Sequence, residues 1–170
     1  SKSIFEKFTS IQLTQIYEFL KQYKNVIFLD EITINKIVNI LKELIQENDI
    51  YILTPDINEL IESKVYILNY QSETFYVPLW HSELFFQTDD NKTIIVKCVP
   101  ELENHISIQE NNDIHIYIST DVISLWNKKM LTINLGIKKI NLNCNEIYLK
   151  NYQTIILKKQ GINIINTKNV

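Results

Sequence analysis

The chain has 170 residues and a formal net charge of −3, with 31 Ile, 19 Asn and 17 Lys but neither Ala nor Arg. Only two Gly are present, which excludes a glycine-rich phosphate loop, because such a loop needs several closely spaced glycines. Without Arg, the chain can form neither an arginine finger nor a bidentate contact to guanine. No run of about 18 apolar residues occurs, so the sequence predicts no membrane-spanning helix.

Apolar residues at helical spacing predict two helices in the first fifty residues. Thr9 or Ser10 is expected to cap the first helix, and Thr33 the second. The apolar residues of the first helix are Ile11, Ile16, Phe19, Leu20 and Tyr23. Those of the second helix are Ile34, Ile37, Val38, Leu41, Leu44 and Ile45. The spacing therefore predicts a helical hairpin over residues 1–49.

From residue 50 onward the hydrophobic period shortens from about 3.6 to about 2 residues, which is typical of β-strands. Gly136 lies between two alternating runs, so a tight hairpin is expected there. The candidate strands are 50–53, 65–70, 74–79, 83–87, 93–99, 113–118, 131–135, 138–142, 147–149 and 153–157. The predicted fold is mostly β with an N-terminal α-hairpin, followed by two tandem β-sandwich-like modules over residues 50–104 and 105–170.

The strand-rich part also contains a candidate internal repeat. Residues 57–69 align without gaps on residues 122–134, a shift of 65 positions. Few residues are identical, but both copies show a short amphipathic turn and then two alternating runs. The pattern predicts a structural repeat, although chance matches are common in a chain so rich in Ile and Asn.

No arrangement of reactive side chains indicates an enzyme. The histidines at positions 81, 105 and 115 lack metal-binding spacing, and Cys98 and Cys144 form no CxxC pair. We therefore expect reduced thiols, no metal, no cofactor and no catalytic site. The N-terminus carries no apolar signal region, which favours a cytoplasmic protein.

Charge is distributed unevenly along the chain. Residues 61–121 contain 3 Lys and 10 acidic residues, a net charge of −7, whereas residues 122–170 contain 8 Lys and only Glu146, a net charge of +7. This asymmetry predicts either a basic surface for an acidic partner or two segments that complement each other. The candidate partner-binding residues are Lys128, Lys129, Lys138, Lys139, Lys158 and Lys159.

Aromatic and aliphatic residues alternate along the early strands. Tyr66, Leu68 and Tyr70 share one face of a predicted strand, and Val65 and Ile67 share the other. Such a strand either packs into a core on both faces or exposes an apolar groove beside a free sheet edge. A groove of this kind would bind extended polypeptide through its main chain, with little sequence selectivity.

Several segments resemble the C-terminal substrate-binding β-modules of DnaJ/Hsp40 chaperones. Ile57–Leu60 ahead of a strand is similar to the element that opens the first module, and Glu110–Ile116 is similar to the start of the second. Ser124–Lys129 and Gln153–Ile162 resemble the short helical turn and the closing segment of the second module. Phe75–Leu84 is similar to divergent DnaJ-like proteins of large DNA viruses.

The resemblance, over residues 50–165, implies a chaperone-type module that binds unfolded or hydrophobic client polypeptides by β-augmentation, in the cytoplasm of a host cell if the source is viral. It places client binding beside strands 50–53 and 65–70, at Tyr51, Leu53, Tyr66, Leu68 and Tyr70. The opposite faces of these strands are the alternative, because a register shift of one residue exchanges the two sets. The family also contacts the acidic tail of Hsp70 through lysines. The sequence lacks the His-Pro-Asp tripeptide that stimulates Hsp70 ATPase and the cysteine-rich zinc module.

The alternative interpretation is a structural or interaction module whose basic second half binds an acidic protein or nucleic acid. Nucleic acid is the less favoured of these two partners, because the chain has no Arg with which to contact bases.

Overall fold

A computed structural model describes residues 2–24, 26–47 and 49–164, and shows a mixed α/β protein with several small sheets. The predicted N-terminal helical hairpin and the strand-rich remainder are confirmed. The chain divides into two compact units that interleave along the sequence. Unit 1 comprises Ser1–Thr54, Tyr66–Val77 and His81–Val99, and unit 2 comprises Pro55–Val65, Pro78–Trp80 and Pro100–Val170.

The secondary structure elements follow in chain order. The α-helices are α1 (Lys2–Phe5), α2 (Ser10–Gln22), α3 (Glu31–Gln46), α4 (Ile57–Ile61) and α5 (Val122–Trp126), and Cys144–Glu146 forms a 3₁₀ turn. The strands are β1 (Ile50–Leu53), β2 (Val65–Tyr70), β3 (Glu73–Pro78), β4 (Glu83–Gln87), β5 (Thr93–Cys98), β6 (Ile106–Ile108), β7 (Ile114–Ile116), β8 (Met130–Leu135) and β9 (Lys138–Asn143).

Polar caps fix the N-termini of α2 and α3. Of the two predicted caps, Thr9 is the one that caps α2, in a reciprocal capping box with Gln12. The cap of α3 is Asp30, and the prediction of Thr33 was wrong. The Asp30 carboxylate accepts from the Thr33 amide at 2.9 Å and from its hydroxyl at 2.6 Å, so Thr33 already lies inside the first turn. These bonds lower the pKa of Asp30.

Unit 1 has three layers, of which the helical hairpin is the first. Its buried residues come from α2, α3 and the start of β1: Leu13, Tyr17, Leu20, Ile34, Val38, Leu41, Leu44, Ile45 and Ile50. Burying each such aliphatic side chain contributes about 1.5–3 kcal/mol. This core is what holds the start of β1 against the helices.

The second layer of unit 1 is a three-stranded sheet in the order β1-β5-β4. β1 runs parallel to β5, with Tyr51 opposite Val96, and β4 runs antiparallel to β5, with Leu84 opposite Val96. Because side chains alternate between faces, Ile50, Ile52 and Ile95 point to the helices, where they pack against the core. Tyr51, Val96 and Leu84 share the opposite face.

The β2–β3 hairpin is the third layer and lies on that opposite face. Two ring pairs join the layers: Tyr51 with Tyr70, at 6.3 Å between centroids, and Phe75 with Phe86, at 5.2 Å. Leu68 on the inner face of β2 is buried with 5% of its surface exposed. The first pair joins β1 to β2, and the second joins β4 to β3.

Unit 2 contains two further hairpins, β6–β7 and β8–β9, over a core of Ile57, Ile106, Leu135 and Ile140. The predicted tight turn at Gly136 is confirmed, with φ of 59°. The Asn58 side chain accepts from the Ile137 amide at 2.7 Å, and a Cβ at position 136 would collide with Asn58. This turn therefore requires glycine both for its conformation and for its close contact with α4.

The element pattern agrees with the predicted repeat. α4 begins at residue 57 and α5 at 122, β2 at 65 and β8 at 130, β3 at 73 and β9 at 138, so each element recurs 65 positions later. The lengths match as well, with helices of 5 residues and strands of 6 residues in both copies.

Two predicted strands, 147–149 and 153–157, are absent from the described structure, and one strand, β6, was not predicted. The side chain of Asn143 accepts from the Asn145 amide at 3.0 Å and starts the 3₁₀ turn. The Tyr148 amide then donates to the side chain of Gln153 at 3.1 Å. Local side-chain acceptors thus bind main-chain donors that a sheet would have used.

Candidate functional site

The free edge of β1 is the first feature of the candidate site. In the part of the chain that the structure describes, β5 is the only strand paired with β1. The carbonyls of Asp49 and Leu53 accept from the amides of Ile95 and Val99, at 3.0 and 2.8 Å. Because main-chain groups alternate between the two edges, those of Ile50 and Ile52 point to the opposite, unpaired edge.

The free edge of β2 is the second feature. The Leu79 amide donates to the Lys64 carbonyl at 3.1 Å at the open end of the hairpin. Counting in twos from Lys64, the main-chain groups of Tyr66, Leu68 and Tyr70 also point to β3. Those of Ile67 and Asn69 therefore point to the other edge. β2 lies next to β1 through the Tyr51–Tyr70 contact, and β3 lies next to β4 through the Phe75–Phe86 contact. Both free edges therefore lie on the same side of unit 1. We call the surface along these two edges the β1–β2 groove and include in it the adjacent side chains of Tyr51, Leu53 and Tyr66.

The five predicted peptide-binding residues lie on the two inner faces that meet at this groove. Tyr51 and Leu53 are half-buried on β1, and Tyr66, Leu68 and Tyr70 share the inner face of β2. Their exposure differs, because Leu68 is buried in the core whereas Tyr66 is 45% exposed. Tyr66 is therefore the residue of this set most accessible to a ligand, and Leu68 supports the layer beneath it.

A polar cluster joins β1 to β2 at one end of the groove. The Tyr70 hydroxyl donates to Asp49 Oδ1 at 3.0 Å, and Lys92 Nζ lies 2.8 Å from Asp49 Oδ2 and 2.9 Å from the Tyr70 hydroxyl. The ammonium also lies 5.6 Å from the centre of the Tyr70 ring. These contacts raise the pKa of Lys92, so the ammonium is protonated at neutral pH.

The turn between β4 and β5 fixes Lys92 in this position. Thr88 is buried, its hydroxyl accepts from the Lys92 amide at 3.0 Å, and its own amide donates to the Lys92 carbonyl at 2.9 Å. Asp90 accepts from the same hydroxyl, and this bond lowers the pKa of Asp90. Asn91 takes the left-handed conformation, with φ of 62°, that Asn tolerates well.

The opposite side of unit 1 is held by contacts between β3 and the β4 segment. Besides the Phe75–Phe86 ring pair, the Asp89 amide donates to Glu73 Oε1 at 3.1 Å. Sequence reasoning found neither these contacts nor the cluster at Lys92, because they join residues far apart in the chain. The only sequence signal was the aromatic alternation along β2 and β3.

The predicted basic residues do not form one compact patch. Lys128 and Lys129 precede β8, while Lys138 and Lys139 begin β9 at the other end of the same hairpin. At about 3.4 Å per residue, the length of β8 separates these two pairs by about 17 Å. Lys138 Nζ donates to the Gln160 carbonyl at 2.6 Å, so this ammonium already binds the segment that follows the hairpin. Lys158 and Lys159 are exposed.

Unit 2 contains an open cleft of about 530 Å³ that the sequence did not indicate. It lies between the strand residues Leu131–Asn134 and the segment Tyr117–Ser119, with Glu103 and His105 at its rim. The His105 ring and the Glu103 carboxylate are 3.5 Å apart. The cleft thus brings β8 together with the segment that follows β7.

Among residues 2–24, 26–47 and 49–164, no three His, Cys, Asp or Glu side chains lie together as metal ligands would. Cys98 and Cys144 are free thiols. Burial raises the pKa of the Cys98 thiol to about 11 and lowers the pKa of His81. Cys98 is buried and packs as a small core residue.

None of the helices in the described part is long and apolar enough to cross a bilayer. The sequence matches no protein-family model, no curated protein and no solved structure. The geometry of unit 1 is thus the main basis for a functional proposal.

Proposed function

We propose that the protein binds extended, apolar polypeptide segments by adding them as a strand at the β1–β2 groove. The observation that supports this most is the pair of unpaired strand edges on one side of unit 1, with Tyr51, Leu53 and Tyr66 beside them. An unpaired edge offers a row of main-chain donors and acceptors, and apolar side chains beside it exclude water from the new bonds.

The geometry suggests how a bound segment would be held. The main-chain groups of Ile67 would pair with the segment, which gives affinity without reading its sequence. Side chains of the segment would alternate, with every second one directed inward between Tyr66 and the β1 residues Tyr51 and Leu53. Such a site accepts many apolar sequences, as a protein that binds unfolded clients requires.

This proposal agrees with the resemblance to DnaJ/Hsp40 substrate-binding modules. We propose a non-enzymatic, co-chaperone-like role in the cytoplasm, in which the chain holds clients but does not stimulate Hsp70 ATPase, since the sequence has no His-Pro-Asp tripeptide. The lysines of the second half would then contact the acidic tail of Hsp70. Because Lys128–Lys129 and Lys138–Lys139 lie at opposite ends of the β8–β9 hairpin, they would form two separate contacts.

Two tyrosines of the same hairpin allow a matched test. Tyr66 lies on the inner face of β2, and Tyr76, which is 66% exposed, lies on the outer face of β3. Binding of a fluorescently labelled peptide of alternating Leu and Thr would be followed by anisotropy. Tyr66→Ser should weaken binding about tenfold, as loss of a central aromatic contact does, whereas Tyr76→Ser should leave it unchanged. Equal effects of both substitutions would contradict the site.

One observation favours a second candidate function, the binding of an acidic protein partner near α5. This helix has no buried residue, and Val122, Ile123 and Trp126 are all exposed, just ahead of Lys128 and Lys129. An apolar surface beside paired lysines suits a segment with both acidic and apolar side chains. Affinity for an acidic peptide should then fall as salt rises, and a flat salt profile would reject this candidate.

A further inference from the structure

The polar cluster of Asp49, Tyr70 and Lys92 lies at one end of the β1–β2 groove, where it can limit the length of a bound segment. Asp49 directly precedes β1, and Tyr70 is the last residue of β2. The Tyr51–Tyr70 and Phe75–Phe86 contacts both place the turn of the β2–β3 hairpin near the start of β1. Since Leu68 is buried beneath the hairpin, β2 runs opposite to β1. The cluster therefore spans the groove at the Ile50 end, while Leu53 and Tyr66 lie toward the other end.

The cluster is held by several mutually supporting contacts. Each of its three members touches both others, at distances of 2.8, 2.9 and 3.0 Å. Lys92 comes from a turn that Thr88 fixes through its hydroxyl and its amide. The Tyr70 ring is further held against Tyr51 in an edge-to-face contact. A strand passing between β1 and β2 at this end would have to break this arrangement.

We propose that Asp49, Tyr70 and Lys92 form a clasp that closes one end of the β1–β2 groove and so limits it to short extended apolar segments. This inference rests on the proposed peptide binding and adds the length of ligand that the site selects. β1 has four residues, so at about 3.3 Å per residue the open part spans about 13 Å, the length of a four-residue strand. A longer client would contribute only one such stretch.

The test measures affinity against ligand length. Labelled peptides of alternating Leu and Thr, four, six, eight and ten residues long, would be titrated with the whole chain. For the wild type, affinity should level off within about twofold beyond six residues, because further residues meet the clasp. In Lys92→Met, affinity should keep rising by about fivefold from six to ten residues, as two more strand pairs form.

Lys97→Met is the matched control. Lys97 also forms ion pairs within unit 1, at 3.2 Å to Glu18 and 3.4 Å to Glu83, but it points to the helix side of the sheet. It should show the wild-type length profile. If Lys92→Met disturbs the fold, as seen by circular dichroism, Asp49→Asn provides a second variant that weakens the ion pair while keeping an oxygen to accept from Tyr70.

The outcomes separate the clasp from the function on which it rests. If the peptides bind the wild type and the Lys92 and Asp49 variants keep the same plateau, the clasp is rejected and peptide binding stands. An affinity that rises steadily with length in the wild type would also reject the clasp. If no peptide binds at any length, peptide binding itself fails, and the clasp fails with it.

Discussion

The two copies of the helix–hairpin repeat share their element order and lengths but differ in what they bury. In the first copy, Ile57 and Leu60 of α4 are buried. In the second copy, the equivalent positions 122 and 125 lie in α5, which has no buried residue. Both helices are capped by an equivalent aspartate, Asp56 or Asp121. Local sequence thus specifies the elements, whereas burial depends on what each helix face meets.

The β2–β3 and β8–β9 hairpins differ in the side chains that their outer faces expose. Apart from Met130, the outer face of β8–β9 is polar, with a bond of 2.8 Å from Thr132 to Asn141 across the strands. The outer face of β2–β3 instead exposes Ile67 and Tyr76. A polar outer face is usual for a hairpin with one face in water. The first hairpin therefore exposes more apolar surface on its outer face than the second.

The largest expected effect comes from truncating equivalent leucines in the two helices. Leu60→Ala should destabilise the protein by about 2–5 kcal/mol, because Leu60 is 1% exposed and its removal leaves a cavity. Leu125→Ala should cost less than about 1 kcal/mol, since its surroundings are partly solvent. Urea unfolding followed by circular dichroism measures both, and equal losses would show that α5 is as well packed as α4.

A smaller effect is expected at the equivalent turn positions, Gln71 and Gly136. Gly136→Ala should destabilise by about 1–3 kcal/mol, because φ is positive and the added methyl meets Asn58. Gln71→Gly should stabilise by about 0.5–1 kcal/mol, since Gln71 also has a positive φ, of 53°. Thermal unfolding of each variant checks this, and a neutral Gly136→Ala would contradict the close contact with α4.

The smallest effect is expected in the pH dependence of the second copy. Bonds from Ser124 lower the pKa of Asp121, so its capping contribution is present above the unfolded pKa of about 3.9 and is lost as pH falls through the lower folded value. Asp121→Asn keeps a capping oxygen but cannot titrate. The variant should show a flatter stability profile below pH of about 4, and an unchanged profile would contradict this assignment.

Short-range patterns predicted much of this fold, and long-range contacts account for what they missed. Periodicity placed both long helices, and Gly136 marked its hairpin. The prediction of Thr33 as the cap was wrong because the helix begins three residues earlier: Asp30 is the cap and accepts from the Thr33 amide, which places Thr33 in the first turn. The clasp had no sequence signal, because Asp49 and Lys92 meet only once β1 and β5 pair in parallel. Leu68 shared a face with Tyr66 in the sequence pattern, but only packing shows that it is buried.

The most direct test of strand addition uses main-chain chemistry rather than side chains. One apolar peptide would be prepared in two forms, N-methylated at its odd or its even residues, and titrated against the whole chain. Pairing along one edge predicts that one form loses binding by at least about tenfold while the other binds as the unmodified peptide does. If both forms bind like the unmodified peptide, the groove does not bind its ligand as a strand.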